Sequence, residues 1–414
     1  MLLILIQEFF HDIKRQKLRT FLTLLAITWG TIAVVILLSF GEGMGDKMVE
    51  GLRGGGNRVI FVYGGQTSMP YEGLPVGRRI RMQEEDVDLL NRTIPGIEYI
   101  SPSYARWGTR IRSEQRSTTV FMEGVNPDYE EMRAMYPAAG GRFLNSKDVL
   151  HQRRVVFIGN KLAETLFGNG TAIGEQVFID DVPFTVVGVM QEKFQTSSMQ
   201  GMDDNRALIP YSTFRTSYGH RFIHSLLVRP TNIQEQNIVI DELKRILGAK
   251  YKFNVEDTQA LSVWDFIEFE QINRRIALGF QIFLFVIGFF TLLIAGVGVA
   301  NIMYVVVKER TREIGIKKAV GARRRHIISQ FVFESVFISS LGGAIGLGFS
   351  AAVVFGVRSL GLNDGAWQFF GHPVLSNITM FVTVSILIAI GLVAGVFPAR
   401  KAASVDPVES LRYE

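Results

Sequence analysis

Four long apolar stretches interrupt the otherwise mixed sequence of this 414-residue chain. They cover residues 21–41, 276–307, 327–357 and 375–397. Each supplies roughly the 20 apolar residues with which an α-helix crosses a hydrocarbon core about 30 Å thick. The pattern therefore predicts four transmembrane helices. The first stretch is long for the core of a signal peptide, and no A-x-A cleavage pattern follows Gly41, so we expect an uncleaved anchor.

Lysine and arginine residues beside the spans predict the orientation of the chain. They concentrate before the first span and between the second and third spans, at Lys14, Arg15, Lys17, Arg19, Lys308, Arg310, Arg312, Lys317, Lys318, Arg323, Arg324 and Arg325. Positively charged loops remain in the cytoplasm. We therefore expect residues 1–20, the loop 308–326 and the tail 398–414 in the cytoplasm. Residues 42–275 and the short loop 358–374 are expected on the outside.

This topology also explains the net charge of +5 and the pI of about 9.3. The external residues 42–275 carry 28 basic and 30 acidic residues, so the positive excess lies in the cytoplasmic segments. The basic pI needs no nucleic-acid partner. The sequence contains no cysteine, which rules out disulfides and thiolate metal sites.

The first 20 residues place Leu2, Ile6, Phe9 and Ile13 at helical spacing. This stripe is typical of an amphipathic helix that lies on the inner membrane surface among the lipids. The alternative is that these residues simply begin a long first helix. Of the two interpretations, we expect the interfacial helix.

The external region combines strand and helix patterns. Segments 42–54 and 262–275 are compatible with helices and predict a paired stalk, the first of which should end at the glycines 54–56. Strand patterns begin at Arg58, Ser117, Arg154 and Gln176, helix patterns begin at Asn160 and Ile233, and Asp180 and Asp181 should form a hairpin turn. The predicted fold is thus a membrane α-helical protein with a large α+β extracytoplasmic domain on a helical stalk.

Small residues recur four apart within the predicted spans. The pairs are Gly296 and Ala300, Gly342 and Gly346, Ala344 and Gly348, and Gly391 and Gly395. This spacing lets membrane helices approach closely, although glycine is also generally common in such helices. We expect a helix-packing role for these positions.

The loop 308–326 has more pattern than a positively charged loop requires. Lys317 and Lys318 suit the last turn of a short helix, and Gly321 is placed to end that helix. We expect a helix parallel to the membrane that presents Ile314 and Ala319 to the cytoplasm as a docking element.

The loop sequence KERTREIGIKKAVGARRRHI resembles the coupling-helix signature of the MacB/FtsX-type ABC transporter permeases. Three other blocks are similar to the same family. They are KLRTFLTLLAITWG from Lys17, the external stretches GRFLNSKDV, RRVVFIGNKLAETLFG and IGEQVFIDDVPFTVVGVM, and the C-terminal FPARKAASVDPVESLRYE. An Asp-Pro that is usual in the family is replaced by Thr171 and Ala172.

The resemblance implies a permease subunit in the bacterial inner membrane that pairs with two ATPase subunits. It implies a homodimer or heterodimer of permeases in contact with membrane lipids, and it adds a periplasmic adaptor and an outer-membrane channel as candidate partners. It assigns ATPase coupling to Glu309, Arg310, Arg312, Glu313, Gly315, Lys317, Gly321 and Ala322. The motion of the coupling helix should tilt the second and third spans.

The sequence contains no GxxxxGK[ST] phosphate-binding loop. We therefore expect no cofactor on this chain, with ATP and Mg²⁺ held by the partner ATPase. Hydrolytic signatures such as HExxH and GxSxG are also absent from the sequence, so we expect no catalytic residues.

Three further residues, Glu334, His220 and His224, are candidates for a functional role. Glu334 in the third span is either a buried carboxylate or a residue near the inner interface, and we expect the interface. His220 and His224 are four apart, as metal ligands on a helix would be, but the following SLLVRP predicts a strand. We expect solvent-exposed histidines and no metal.

These observations favour an exporter for a drug, peptide, lipid or lipoprotein. A second hypothesis is a non-transporting mechanotransmission protein that regulates an external cell-wall enzyme. A plain sensor would leave the pattern of the coupling loop unexplained.

Overall fold

The computed structural model describes residues 17–168, 170–196, 200–361 and 366–404. By its internal contacts the chain divides into two units. We call Met1–Lys47 with Arg275–Glu414 the membrane unit, and Met48–Arg274 the β-rich domain. The amphipathic helix predicted for residues 1–20 lies outside the described residues up to position 16, as does the tail from position 405.

The helices are α1 (Lys17–Gly55), α2 (Glu84–Thr93), α3 (Tyr129–Arg133), α4 (Ser146–Leu150), α5 (Asn160–Phe167), α6 (Tyr211–Tyr218), α7 (Gln236–Tyr251), α8 (Phe266–Glu309), α9 (Thr311–Ala319), α10 (Arg324–Ser359), α11 (Ala366–Phe370) and α12 (Asn377–Ser404). The strands are β1 (Ile60–Gly64), β2 (Ile97–Arg112), β3 (Ser117–Val125), β4 (Val155–Ile158), β5 (Gln176–Ile179), β6 (Val182–Val189), β7 (Arg206–Pro210), β8 (Ser225–Pro230) and β9 (Leu261–Asp265).

Four of these helices, α1, α8, α10 and α12, are long and apolar enough to cross a membrane. They coincide with the four predicted spans. The helix that contains the second span is 44 residues long and extends well beyond a hydrocarbon core at 1.5 Å per residue. The first helix ends at Gly55, within the predicted glycine run.

The helical prediction for residues 262–265 was wrong. These residues form most of β9, which pairs antiparallel with β1, Ser262 opposite Tyr63 and Val263 opposite Val62. The hydrogen bonds of the sheet hold them extended, and the helix starts only at Phe266. Asp265 marks this change, since its Oδ1 accepts the backbone N–H groups of Ile267 at 2.8 Å and Glu268 at 3.2 Å.

Small residues allow close helix contacts within the membrane unit. A Cβ added at Gly342 would lie 3.0 Å from Ile27 Cβ, and one at Gly346 would lie 2.7 Å from Thr31 Cβ, so both positions face α1. Gly391 and Gly395 face α10 in the same way: a Cβ at Gly395 would meet Ser335 Oγ at 2.0 Å.

The other two small pairs behave differently from each other. A Cβ at Gly296 would meet Ile390 of α12 at 2.4 Å, which is again a close helix contact. Ala344 and Gly348 are exposed, and a Cβ at Gly348 would have no described atom within 4 Å. Ala344 and Gly348 therefore make no close helix contact within the described part of this chain.

The β-rich domain is built on a sheet in which six strands close on themselves. The strand order is β3-β7-β4-β6-β5-β2, and an additional pairing joins β3 to β2. The long strand β2 belongs to two sheets, because its first half pairs with β8 and its second half with β3. Beyond β8 the open sheet continues through β1 to β9.

Several local predictions for this domain are confirmed. The predicted strands correspond to β1, β3, β4, β5 and β6, and the predicted helices to α5 and α7. Asp180 and Asp181 form the two-residue turn between β5 and β6 with φ values of 45° and 65°, as a type I′ hairpin requires. In β6, alternate positions such as Phe184 and Val186 are buried in the main core.

A cluster of charged side chains is buried inside this domain. Arg206 Nη1 lies 2.7 Å from Glu123 Oε2, and Arg206 is 2% exposed. Arg133 Nη2 and Lys193 Nζ each lie 2.7 Å from Asp203, on different carboxylate oxygens. We call these five residues the buried charge cluster. It contains three cations and two carboxylates.

Burial and pairing oppose each other in this cluster. Burial alone would raise the pKa of Asp203, but Arg133, Lys193 and Arg206 outweigh it and hold that pKa well below its usual value. Burial opposes the ammonium form of Lys193 and lowers its pKa to about 8, although Asp203 counteracts this shift. Each charge is thus tolerated only because of its partners.

Replacing Gly395 with leucine should disturb the contact between α10 and α12. The side chain would meet Ser335 and the backbone at Val332 Cα, which lies 3.2 Å from the added Cβ. We expect a loss of about 1–3 kcal/mol in the free energy of unfolding from overpacking. Thermal unfolding of the detergent-solubilised chain measures it, with Gly348→Leu as the matched control. Equal stability of the two variants would contradict the packing.

Replacing Arg206 with methionine should destabilise the β-rich domain strongly, because Glu123 would remain buried without its main counter-charge. We expect a cost of about 3–5 kcal/mol in the free energy of unfolding. The control is Arg245→Met, which breaks an exposed pair with Glu242 and should leave the unfolding midpoint close to that of the parent chain. Denaturant unfolding of both variants checks this, and similar midpoints would refute the structural role of the cluster.

Candidate coupling site

The loop between α8 and α10 contains the short helix α9 and a sharp turn. Gly321 has a φ of +100°, a conformation that glycine adopts without strain. Its N–H donates to the carbonyl of Lys318 at 3.0 Å, and the N–H of Ala322 donates to that of Lys317 at 2.9 Å. This pair of bonds is the Schellman motif, which satisfies carbonyls at a helix end. The predicted end of the helix at Gly321 is confirmed.

An ion pair joins the start of this loop to α10. Arg310 Nη1 lies 3.5 Å from Glu334 Oε2, and the two side chains are only 11% and 13% exposed. An almost covered carboxylate in a membrane helix needs such a partner. The structure therefore places Glu334 of the third span against a residue of the coupling signature, inside the protein.

The inner face of α9 is buried, and this corrects one prediction. Ile314, which we expected to face the cytoplasm, is 4% exposed and belongs to a buried apolar cluster with Ile327 of α10 and Ala399 and Ala402 of α12. Gly315 beside it is also buried. The prediction failed because apolar residues occur all around this nine-residue helix, so that the sequence marks no single inward face.

A hydrogen bond fixes the end of α9 to the end of α12. Lys318 Nζ donates to the backbone carbonyl of Ala403 at 3.0 Å. A cation is favourable at this place, because the carbonyl groups of a helix C-terminus carry partial negative charge. Lys317 points elsewhere, with its Nζ 3.3 Å from Gln330 Oε1 of α10.

The outer face of α9 is exposed. Ile316 is 48% exposed and Val320 is 84% exposed, and they are four residues apart on one side of the helix and its turn. Exposed charged residues surround them, namely Arg312, Glu313, Lys317, Arg323, Arg324 and Arg325. We call Ile316, Val320 and these charged residues the outer face.

The residues of the predicted coupling motif thus divide by position. Arg310 and Gly315 are covered by the protein. Arg312, Glu313 and Lys317 are exposed on the outer face, and Glu309 is exposed at the end of α8. Gly321 and Ala322 form the turn. Lys318 was predicted only as a cation of the last helical turn, and Ile316 and Val320 were not predicted as site residues. The four-residue spacing of Ile316 and Val320 is the signal in the sequence that would have identified the exposed apolar pair.

The two histidines considered as metal ligands do not form a site. His224 is half-buried, with its Nε2 3.0 Å from Gln200 Nε2 and its ring against Trp107 and Tyr63. The expectation that it is solvent-exposed was wrong, because β8 directs it between these aromatic rings. Burial lowers the pKa of His224. His220 is exposed, and no group of three candidate metal ligands occurs among the described residues.

Known families match almost the whole chain. Residues 20–246 match the family described as MacB-like periplasmic core domain. Residues 285–407 match the FtsX-like permease C-terminal family. The second match includes α9, its turn and the buried contacts of Ile314 and Glu334.

Curated relatives extend this likeness. The macrolide export ATP-binding/permease protein MacB of Bdellovibrio bacteriovorus is 32% identical over 411 residues, covering 98% of this chain and 61% of the relative. The pyoverdine export ATP-binding/permease protein PvdT of Pseudomonas putida is 31% identical, covering 96% of this chain and 58% of the relative. This chain thus spans about three fifths of the length of these two proteins.

A third relative is similar in length. The uncharacterized ABC transporter permease YknZ of Bacillus subtilis is 27% identical over 403 residues, covering 96% of both chains. Among solved structures, the periplasmic region of MacB from Actinobacillus actinomycetemcomitans is 20% identical with a TM-score of 0.42, covering 55% of this chain and 97% of that one. Since the family matches cover more than half of its residues, the chain belongs to the MacB/FtsX-type family of ABC transporter permeases.

Proposed function

We propose that this chain is the permease subunit of an ABC transporter in the bacterial inner membrane. It converts ATP-driven motion of a separate ATPase into movement of its extracytoplasmic β-rich domain, and its N- and C-termini lie in the cytoplasm. Two ATPase subunits serve a dimer of permeases, either two copies of this chain or this chain with a related one. ATP and Mg²⁺ belong to the ATPase subunits.

The observation that carries this proposal is the division of α9 into a buried and an exposed face. Ile314 is buried among residues of α10 and α12, whereas Val320 is almost fully exposed. An exposed apolar pair surrounded by charge is typical of a protein interface. The outer face therefore suits a partner that pushes or pulls on α9.

The inner contacts give a physical route for such a motion. A force on α9 reaches α10 through the pair of Arg310 and Glu334, and it reaches α12 through Ile314 and through Lys318 with Ala403. Packed helices and paired charges transmit displacement because they have few alternative arrangements. The route includes the fourth span, in addition to the second and third spans that the resemblance implied.

The partner is proposed to be an ATPase because the longer relatives of this chain are named ATP-binding/permease proteins. Export is the proposed outcome of the cycle, since the printed names of these relatives are macrolide export and pyoverdine export proteins. A periplasmic adaptor and an outer-membrane channel are further proposed partners.

A photo-crosslinking amino acid at position 320 should capture the ATPase in native membranes. Val320 is exposed at the turn, so replacing it leaves the buried contacts of α9 intact. The matched control is position 150, because Leu150 is 76% exposed in the β-rich domain. We expect an ABC ATPase adduct, identified by mass spectrometry, at position 320 alone. Adducts at both positions, or none at 320, would argue against the outer face as the docking surface.

The substitution Glu334→Gln should uncouple the permease without preventing ATPase docking. It removes the counter-charge of Arg310, which should weaken the contact between the loop and α10 by about 1.5–3 kcal/mol. Crosslinking at position 320 should persist, while the ATP-dependent change in hydrogen exchange of the membrane helices should be lost.

The control for this experiment is Glu175→Gln, which removes the same charge from an exposed position of the β-rich domain. It should behave as the parent chain. If the ATP-dependent change in hydrogen exchange is the same in Glu334→Gln as in the parent chain, the ion pair carries no part of the coupling. An ATP response with no exported compound would favour the regulation of an external cell-wall enzyme.

A further inference from the structure

The last turns of α1, residues 48–55, belong to the β-rich domain and closely contact residues 193–196 of the same domain. A Cβ added at Gly51 would lie 2.5 Å from Thr196 Oγ1 and 2.9 Å from Phe194 Cε1. A Cβ at Gly54 would lie 2.1 Å from the carbonyl oxygen of Phe194. Real Cβ atoms do not approach this closely, so the contact depends on glycine at both positions. The N–H of Thr196 also donates to the carbonyl of Gly51 at 3.1 Å.

Of the other two residues of this segment, Lys193 is a member of the buried charge cluster and Gln195 binds the cluster. Lys193 Nζ donates to Asp203 Oδ2 and to the backbone carbonyl of Arg133, both at 2.7 Å. Gln195 Oε1 accepts the backbone N–H of Asp203 at 3.0 Å. Residues 194 and 196 therefore contact α1, and residues 193 and 195 contact the cluster.

The cluster in turn is tied to the sheet. Asp203 also lies 3.1 Å from Arg206 Nε, and Arg206 on β7 binds Glu123 on β3. Glu123 further accepts hydrogen bonds from Tyr129 and Ser103, both at 3.0 Å. Removing one member of such a network leaves charges buried without compensation, so the network resists rearrangement.

We propose that the segment 193–196 is the joint that fastens α1 to the β-rich domain, and that Lys193 is its positioning residue. A displacement of α1 passes through Gly51 and Gly54 to Phe194 and Thr196, and then through Lys193 and Gln195 to Asp203. From there it reaches β3 and β7 through Arg206. This inference rests on the proposed function, because it names the place where motion of a membrane helix enters the domain.

The two long helices are attached to the sheet in different ways. Helix α8 follows β9 directly, and Phe266 and Ile267 in its first turn are buried in the cores of the domain. Helix α1 is followed by a short connection, residues 56–59, before β1 begins. The end of α1 is held by its contact with residues 193–196 and by the ion pair of Arg53 with Glu270 of α8 at 2.9 Å.

Hydrogen exchange of the full-length chain in lipid nanodiscs tests the joint without any ATPase. In Lys193→Met, amides of residues 48–55 and 194–196 should exchange about tenfold faster or more, because the local opening becomes easier. Lys193→Arg should keep the slow exchange, since it retains the charge and donors. Unchanged exchange in Lys193→Met would overturn the proposal. Faster exchange throughout the domain would overturn it as well, because it would mark Lys193 as a general stability residue.

A substitution at Gly51 provides a test that does not depend on Lys193. In Gly51→Ala the added Cβ would lie 2.5 Å from Thr196 Oγ1 and 2.9 Å from Phe194 Cε1, so the contact would have to open. Exchange at residues 48–55 and 194–196 should become faster, while the rest of the domain should exchange as in the parent chain. If exchange at residues 48–55 stays slow in Gly51→Ala, the segment does not hold α1.

The transmission of motion from α1 to β3 and β7 is tested with the complex of this chain and the ATPase. ATP should change the exchange of β3 and β7 in the parent chain and in Lys193→Arg, but not in Lys193→Met. An equal ATP response in the parent and in Lys193→Met would overturn the joint and leave the proposed function intact. Absence of any ATP response in the parent would instead count against the proposed function, while the exchange of residues 48–55 still decides whether the joint exists.

Discussion

Arg310 and Glu334 face each other at the point where the loop leaves α8, and protein covers both side chains almost completely. Around this pair, Ile314 is buried against α10 and α12, and Lys318 binds the carbonyl of Ala403. The short helix α9 is thereby held by three of the four membrane helices. A buried charge cannot lose its partner cheaply, and a buried apolar side chain cannot leave its neighbours without exposing surface. These contacts are the physical basis of the proposed coupling, in which a movement of α9 would carry the membrane helices with it.

The β-rich domain uses a related constraint with different chemistry. Its six closed strands form a stiff body, and the buried charge cluster ties β3 and β7 to the segment 193–196. The close contacts of Gly51 and Gly54 bring α1 to that segment. Covered charge pairs thus occur both at the loop between α8 and α10 and inside the β-rich domain. Polar contacts placed where helices end fix the position of those ends more specifically than apolar packing alone would.

The features that depend on a local sequence signal could be predicted. The four spans follow from long apolar runs, the turn after α9 from Gly321, and the hairpin from Asp180 and Asp181. Orientation of a short helix is harder: α9 has apolar residues on all sides, so Ile314 was assigned to the wrong face. The strand β9 was assigned to a helix because its pairing with β1 joins residues about 200 positions apart.

The parts that the sequence could not reveal depend on contacts between distant residues. Glu123 and Arg206 are 83 positions apart, and nothing in either neighbourhood marks them as partners. The segment 193–196 has the composition of an ordinary loop. Its contact with α1 is visible only in the structure, where it lies against Gly51 and Gly54. His224 was expected at the surface because the aromatic rings that cover it come from other strands.

The proposed action of an ATPase on α9 can be tested by purification. The full-length chain, extracted in mild detergent from its native membrane through a C-terminal tag, is analysed for associated proteins and for ATP hydrolysis. We expect a stoichiometric ABC ATPase with measurable activity in the purified complex. If no ATPase accompanies the chain even after crosslinking in the intact membrane, α9 is not a coupling helix and the proposed function is wrong.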